Sequence, residues 1–132
     1  MKISAADKAF ADCVKEAYDH VCQVCSRQGR VELSHIYSRR HRTIRWCADN
    51  ALPKCHACHR WWHENPTESG HWFRRLVGDG AIQLLQEKRD SRIKVPKAEE
   101  KEIAAHYRRE LEIIKRKRMD GQTGYIEFVS WQ

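Results

Sequence analysis

Residues 55–63 read CHACHRWWH, and two incompatible chemistries share those letters. Cys55-His56-Ala57-Cys58-His59 matches the C-x-x-C-H pattern that attaches a c-type haem. The same stretch offers Cys55 and Cys58 as thiolates for zinc and leaves His59 and His63 for something else. A distant partner separates the two readings: Cys22 and Cys25 form a second C-x-x-C, with 29 residues between the pairs. Haem leaves that second pair unexplained. Two pairs supply the four thiolates of a structural tetrahedral Zn²⁺, a soft ligand set with no open position. The bland alternative is two unrelated thiol pairs in a reducing compartment. Cys47 has no partner at knuckle spacing and Cys13 falls among apolar positions, so both read as buried or idle thiols.

If a helix begins near Cys55, then Cys55, Cys58 and Trp62 share one face, which puts Trp62 beside the zinc. His59 and His63, at i and i+4, share an adjacent face about 100° away, where two imidazoles can grip a second metal. A two-Cys, two-His finger does not fit, because His59 follows Cys58 directly and leaves no room for a spacer of roughly twelve residues.

The remaining sequence is compatible with a small metal-braced protein. Its 132 residues, 41% hydrophobic, suit one compact core with an appendage. Mean hydropathy is −0.80, so the core is small and a metal usefully supplements it. No run of about 18 apolar residues provides a membrane span, and no signal-peptide core lies near Met1. A cytoplasmic, reducing location is therefore expected, where cysteines serve as metal ligands or free thiols. Six of the seven excess positive charges lie within residues 20–75, together with seven of the eight histidines and five of the six cysteines. A basic Cys/His-rich segment points to a metal site facing a polyanion, nucleic acid above all, although an ordinary soluble basic surface has the same composition.

Along the chain, Ser4 suits an N-cap for an amphipathic helix bearing Phe10, Val14, Ala17, Tyr18 and Val21. CQVCSRQGR (22–30) reads as a tight knuckle with Gly29 closing the turn, and VELSHI (31–36) as a short strand. Residues 37–49 form a long loop containing RRHRTIR (39–45), with four Arg and no acid. The chain then turns through Pro53 into a helix that Pro66 ends. Thr67 caps another helix with Trp72, Phe73, Leu76 and Val77, and Gly78-Asp79-Gly80 breaks it before Ile82, Leu84 and Leu85. Pro96 opens a long charged helix to about Met119, with Ile103, Tyr107, Leu111 and Ile114 as its stripe. The tail GYIEFVSWQ (124–132) alternates like a strand and is the candidate surface for a homodimer. Three segments follow: a packing helix at 1–21, a core at 22–66, and a helical extension with a strand-like tail at 67–132.

His35 ends the expected strand, and Asp49-Asn50 and the His59/His63 pair follow in order, all but His63 lying between the first and last members of the quartet or directly beside it. The stretches CQVC, LSHIYSRRH, DNALPKCHACH and RWWHENP resemble the HNH endonuclease family over residues 22–66, most closely phage recombination nucleases of the NinG type. The resemblance implies an α+β, mainly helical fold: a ββα-metal core, two strands joined by an Ω-like loop and leading to a helix, braced by a treble-clef zinc and flanked by further helices. It implies His35 as the general base against a DNA phosphodiester, and one divalent cation (Mg²⁺, Mn²⁺, Ni²⁺ or Zn²⁺) at His59 and His63. Asn50 would fix the loop or reach that metal. The host cytoplasm is the implied location for a phage-encoded enzyme, and branched recombination intermediates the implied substrate.

The residues suit this chemistry independently. An imidazole with a pKa near 6.5 accepts a proton at neutral pH, and Arg39, Arg40 and Arg45 are candidates to hold phosphates bidentately. Ser34 departs from the family pattern, which usually has a metal-ligating Asp or His before the base. A hydroxyl is a weak ligand, so modest metal affinity is expected. Glu32 is a candidate to orient His35, or simply a surface carboxylate. The competing functional reading is a zinc-stabilised nucleic-acid binding module with an inactive HNH site. A third is an adaptor that uses the charged helix 96–119, whose nearly balanced charges also suit a solvated face.

Overall fold

The structure, a computed structural model, describes all residues 1–132. Ser4 starts helix α1 (Ala5–Ala17) through a reciprocal capping box: its hydroxyl accepts from the Asp7 amide while the Asp7 carboxylate accepts from the Ser4 amide. The helix ends before Asp19 and His20, both with positive φ. Arg118 then donates to the carbonyls of Glu16 and Ala17, satisfying acceptors that the helix terminus leaves open. Phe10, Val14 and Ala17 face inward, as their spacing predicts, and Cys13 is buried with them.

Strands β1 (Glu32–His35) and β2 (Ala51–Lys54) pair antiparallel, with Glu32 opposite Lys54 and His35 opposite Ala51. Pro53 therefore does not turn the chain into the helix, as its sequence suggested. It lies within β2, opposite Leu33. A two-stranded ribbon has only edges, so the missing N–H costs no ladder bond on a further strand. The Pro53 carbonyl instead accepts from the Gln23 amide and ties β2 to the cysteine knuckle.

Residues 36–50 leave and rejoin the ribbon through a narrow neck, closed by the Ile36 amide donating to the Asn50 carbonyl. Helix α2 (His56–Glu64) follows β2 directly, with Cys55 as its N-cap. Pro66 does more than end α2: it is the first residue of α3 (Pro66–Val77), with Asn65 before it. Thr67 is thus inside the first turn and is not the cap. Gly78, at φ 86°, turns the chain into α4 (Asp79–Arg89), as the Gly-Asp-Gly sequence suggests.

Helix α5 (Glu100–Met119) packs along α1, and Ile103, Tyr107 and Ile114 join Phe10, Val14, Trp46 and Ala51 in the main core. The tail after Gly124 is extended but forms no strand, and its alternation has another cause. Ile126 is buried against the core, its amide donates to the Ala17 carbonyl, and the Ser130 and Gln132 side chains accept from the Ala48 and Trp46 amides. The tail thus spends its polar groups on its own chain. The result is an α+β fold, mainly helical, with one small sheet, and no helix in it is long and apolar enough to cross a membrane.

Candidate functional site

The knuckle and the start of α2 bring Cys22, Cys25, Cys55 and Cys58 together, with all four Sγ atoms within 4.8 Å of one another. Local geometry explains this. The Ser26 amide bonds to the Cys22 carbonyl and the Cys22 amide to the Arg27 carbonyl, folding the first pair into a tight turn. The second pair occupies the N-cap and third position of a helix, where free amides favour negative charge.

The set fits a tetrahedral cation. Zn–S bonds of about 2.3 Å place sulfurs about 3.8 Å apart, and Cys25 Sγ lies 3.8 Å from Cys55 Sγ. Burial disfavours charge on Cys22, yet the amides of Cys25, Cys55 and Val24 prevail and hold its thiol at about 6. Cys58 is pushed far up, by burial and by the sulfurs of Cys55, Cys22 and Cys25. Four thiols cannot all ionise in so small a space alone, and a divalent cation removes that conflict. Val31 and Val24 pack against the quartet; Trp62, expected there from helix spacing, packs on Trp72 and Phe73 instead.

His35, His59 and His63 border one open cleft of about 820 Å³ between α1 and the ββα unit, and Arg39 stands on its rim. His35 Nε2 lies 3.1 Å from the Arg45 carbonyl oxygen. A carbonyl only accepts, so Nε2 carries the proton and Nδ1 is left with a free lone pair. Burial lowers the His35 pKa below 6.5, opposed by that hydrogen bond, and the ring is neutral at neutral pH.

The rings of His59 and His63 lie 5.0 Å apart on successive turns of α2. His59 Nδ1 is 2.8 Å from one Glu32 oxygen, and His56 Nδ1 is 3.0 Å from the other. Glu32 therefore orients His59, not His35, and leaves His59 Nε2 available to a metal, the usual carboxylate–histidine arrangement. His56, which the sequence left without a role, is its second partner. Burial and the neighbouring His59 lower the His63 pKa, keeping that ring neutral and ligand-competent.

Other expected site residues sit elsewhere. Asn50 is fully buried: its Oδ1 accepts from the Tyr37 amide, and its Nδ2 donates to the carbonyls of Tyr37 and Ile44. It fixes the loop and is not a metal ligand. Arg45 is also buried, in a two-pronged ion pair with Asp7 at 2.9 and 2.6 Å, and so is not a phosphate contact. Arg39 lines the cleft while reaching Asp7 at a longer 3.5 Å and donating to the Met1 carbonyl, and Arg40 is exposed. Ser34 is buried and accepts from Lys54 Nζ at 2.7 Å. The fully buried Lys54 ammonium stands 4.1 Å over the Trp62 ring, and burial pulls its pKa down to about 8 against the pull of Cys22 and Cys58.

The cysteine quartet is the one place where three or more Cys, His, Asp or Glu ligand atoms converge. His59 and His63 thus offer two protein ligands and leave the rest of a coordination sphere open. Asp7 and Lys54 also matter to the site, and the sequence barely marks either. Ser4-x-x-Asp7 carried a capping signal, but nothing in it pointed to Arg45; Lys54 carried no signal at all. No family model matches the chain, and no curated protein or solved structure matches it either.

Proposed function

We propose that this protein is a metal-dependent endonuclease of the HNH type that hydrolyses DNA phosphodiester bonds. The observation that carries this reading is the shared cleft: a neutral His35 with a free Nδ1, His59 oriented by Glu32, and His63 one turn further along α2 border the same space, beside Arg39. The chemistry follows from those groups. His35 Nδ1 takes the proton from an attacking water while its Nε2–H stays anchored to the Arg45 carbonyl. Arg39 pairs with a phosphate oxygen. His59 and His63 hold the divalent cation, which when bound supplies Lewis acidity for the phosphate and the leaving oxygen. The quartet holds a structural Zn²⁺ that keeps α2 in register with the knuckle.

A second reading, a zinc-stabilised nucleic-acid binding module without catalysis, draws support from Ser34. Its hydroxyl is committed to Lys54 and supplies no ligand to the cleft. Supercoiled plasmid incubated with Mg²⁺, Mn²⁺, Ni²⁺ or Zn²⁺ separates the two. Conversion to nicked or linear DNA with at least one cation is expected, and plasmid left intact with every cation, while still bound, leaves the module.

A further inference from the structure

The last turn of α4 and the irregular segment after it place unpaired positive charge beside the loop that leads out of the cleft. Residues 88–97 read KRDSRIKVPK, five basic residues against one acid. Lys88, Arg92, Lys94 and Lys97 are all exposed and none of them forms an ion pair. Arg89 is spent on Asp90 and on the Tyr37 ring, 4.7 Å away.

The segment is also held firmly. Thr43 Oγ donates to the Arg89 carbonyl, Arg42 donates twice to the Val95 carbonyl and pairs with Glu100, and Gln86 donates to the Tyr37 hydroxyl. Every one of those partners lies in the loop 37–43, whose Ser38 and Arg39 line the cleft. Arg40 and His41 of that loop are exposed. A cavity of about 250 Å³ between the two segments is bordered by Lys88, Lys94 and Ser91. The acids nearby do not cancel this charge: Asp90 and Glu100 are paired, and Glu87, Glu99 and Glu102 remain against four free cations.

We propose that Lys88, Arg92, Lys94 and Lys97, together with Arg40, form a preorganised strip that binds the phosphate backbone of duplex DNA flanking the cleft. The proposal rests on the reading of the chain as a DNA enzyme and supplies what the cleft alone lacks, an extended footprint. Ordering a basic coil before binding removes part of the entropic cost of ordering it on the duplex. Phosphate contacts of this kind add affinity without sequence preference.

The test is fluorescence anisotropy of the full chain with a labelled DNA duplex over a salt series, without added divalent cation. Each phosphate contact contributes about 0.9 to the slope of log affinity against log salt, so replacing four contacts should lower the slope by roughly 3–4. The strip variant is Lys88→Gln/Arg92→Gln/Lys94→Gln/Lys97→Gln. A charge-matched control, Lys101→Gln/Arg108→Gln/Arg109→Gln/Lys115→Gln, alters exposed residues of α5. A lowered slope in the strip variant alone supports the proposal. An unchanged slope, an equal loss in the control, or a wild type that does not bind the duplex overturns it. So does an unchanged slope accompanied by lost binding to phosphatidylserine vesicles, which would assign the strip to a membrane surface. Plasmid cleavage by wild type is scored separately: a chain that binds through the strip but never cuts loses the nuclease reading and keeps this one.

Discussion

The Asp7 carboxylate accepts five hydrogen bonds: one from the Ser4 amide, two from Arg45, one from Arg39 and one from the Trp46 indole. One side chain thus caps α1, neutralises a buried guanidinium and reaches the cleft rim. Burial works against its charge, but Arg45 and the Ser4 amide prevail and hold its pKa below 3.8. Because the folded value is depressed, its stabilising contribution is present above about pH 4 and is lost as pH falls through the folded value. Asp7→Asn would leave Arg45 buried without a counter-charge, with an expected loss of about 3–5 kcal/mol. Urea unfolding at neutral pH reads that loss, and the gap between variant and wild type should shrink toward acid. Glu32 acts beside the His59/His63 pair, where its carboxylate accepts from His59 Nδ1 and fixes that ring's tautomer. Glu32→Gln should weaken binding of the cleft cation by about 10–100-fold, measured by calorimetry with Mn²⁺. An unchanged affinity would mean that His59 needs no orienting partner.

At the scale of elements, the quartet was legible because its spacing is local: each C-x-x-C pair sits in one turn, and the pairing of the two turns follows from ligand count. A thiolate site of this kind retains its ion far more tightly than two histidines do. After prolonged chelation the chain should therefore keep one equivalent of zinc by elemental analysis. Loss of all metal with the fold intact would dismiss the structural zinc. Cys13 and Cys47 should not contribute: burial pushes the Cys13 thiol up to about 12 and raises that of Cys47. Helix α1, β1, the Gly78 break and the stripe of α5 were also readable from cap, period and breaker signals. What escaped depended on contacts between distant residues. Arg45 resembled the other arginines of RRHRTIR, yet it alone among them is buried, in a pair with a carboxylate 38 positions upstream. Pro53 read as a turn because a ribbon with no inner strand gives proline an unusual freedom. The tail alternates because one face packs on α1 and α5, which its sequence does not distinguish from a strand.

Over the whole molecule, α1 and α5 form the main core and the ββα unit is packed against it, with Trp46 and Ala51 shared between the two. The loop 36–50 is held from both sides, inward by Asn50, Asp7 and the tail, outward by α4 and the segment after it. That bracing presents His35 and Arg39 to the cleft, and it explains how residues 67–132 serve a site to which they contribute no cleft-lining side chain. Cleavage by this cleft depends most directly on His35 as the base. The decisive measurement is the pH profile of single-turnover plasmid cleavage by wild type and His35→Ala, with the zinc content of both proteins verified. Burial lowers the His35 pKa, so the wild-type rate should be flat through neutral pH and fall only below about 6.5 as the ring takes a proton. His35→Ala should be slower by about 10²–10⁴-fold and lack that acidic limb. Equal rates for the two proteins, or an acidic limb that survives in His35→Ala, would contradict it.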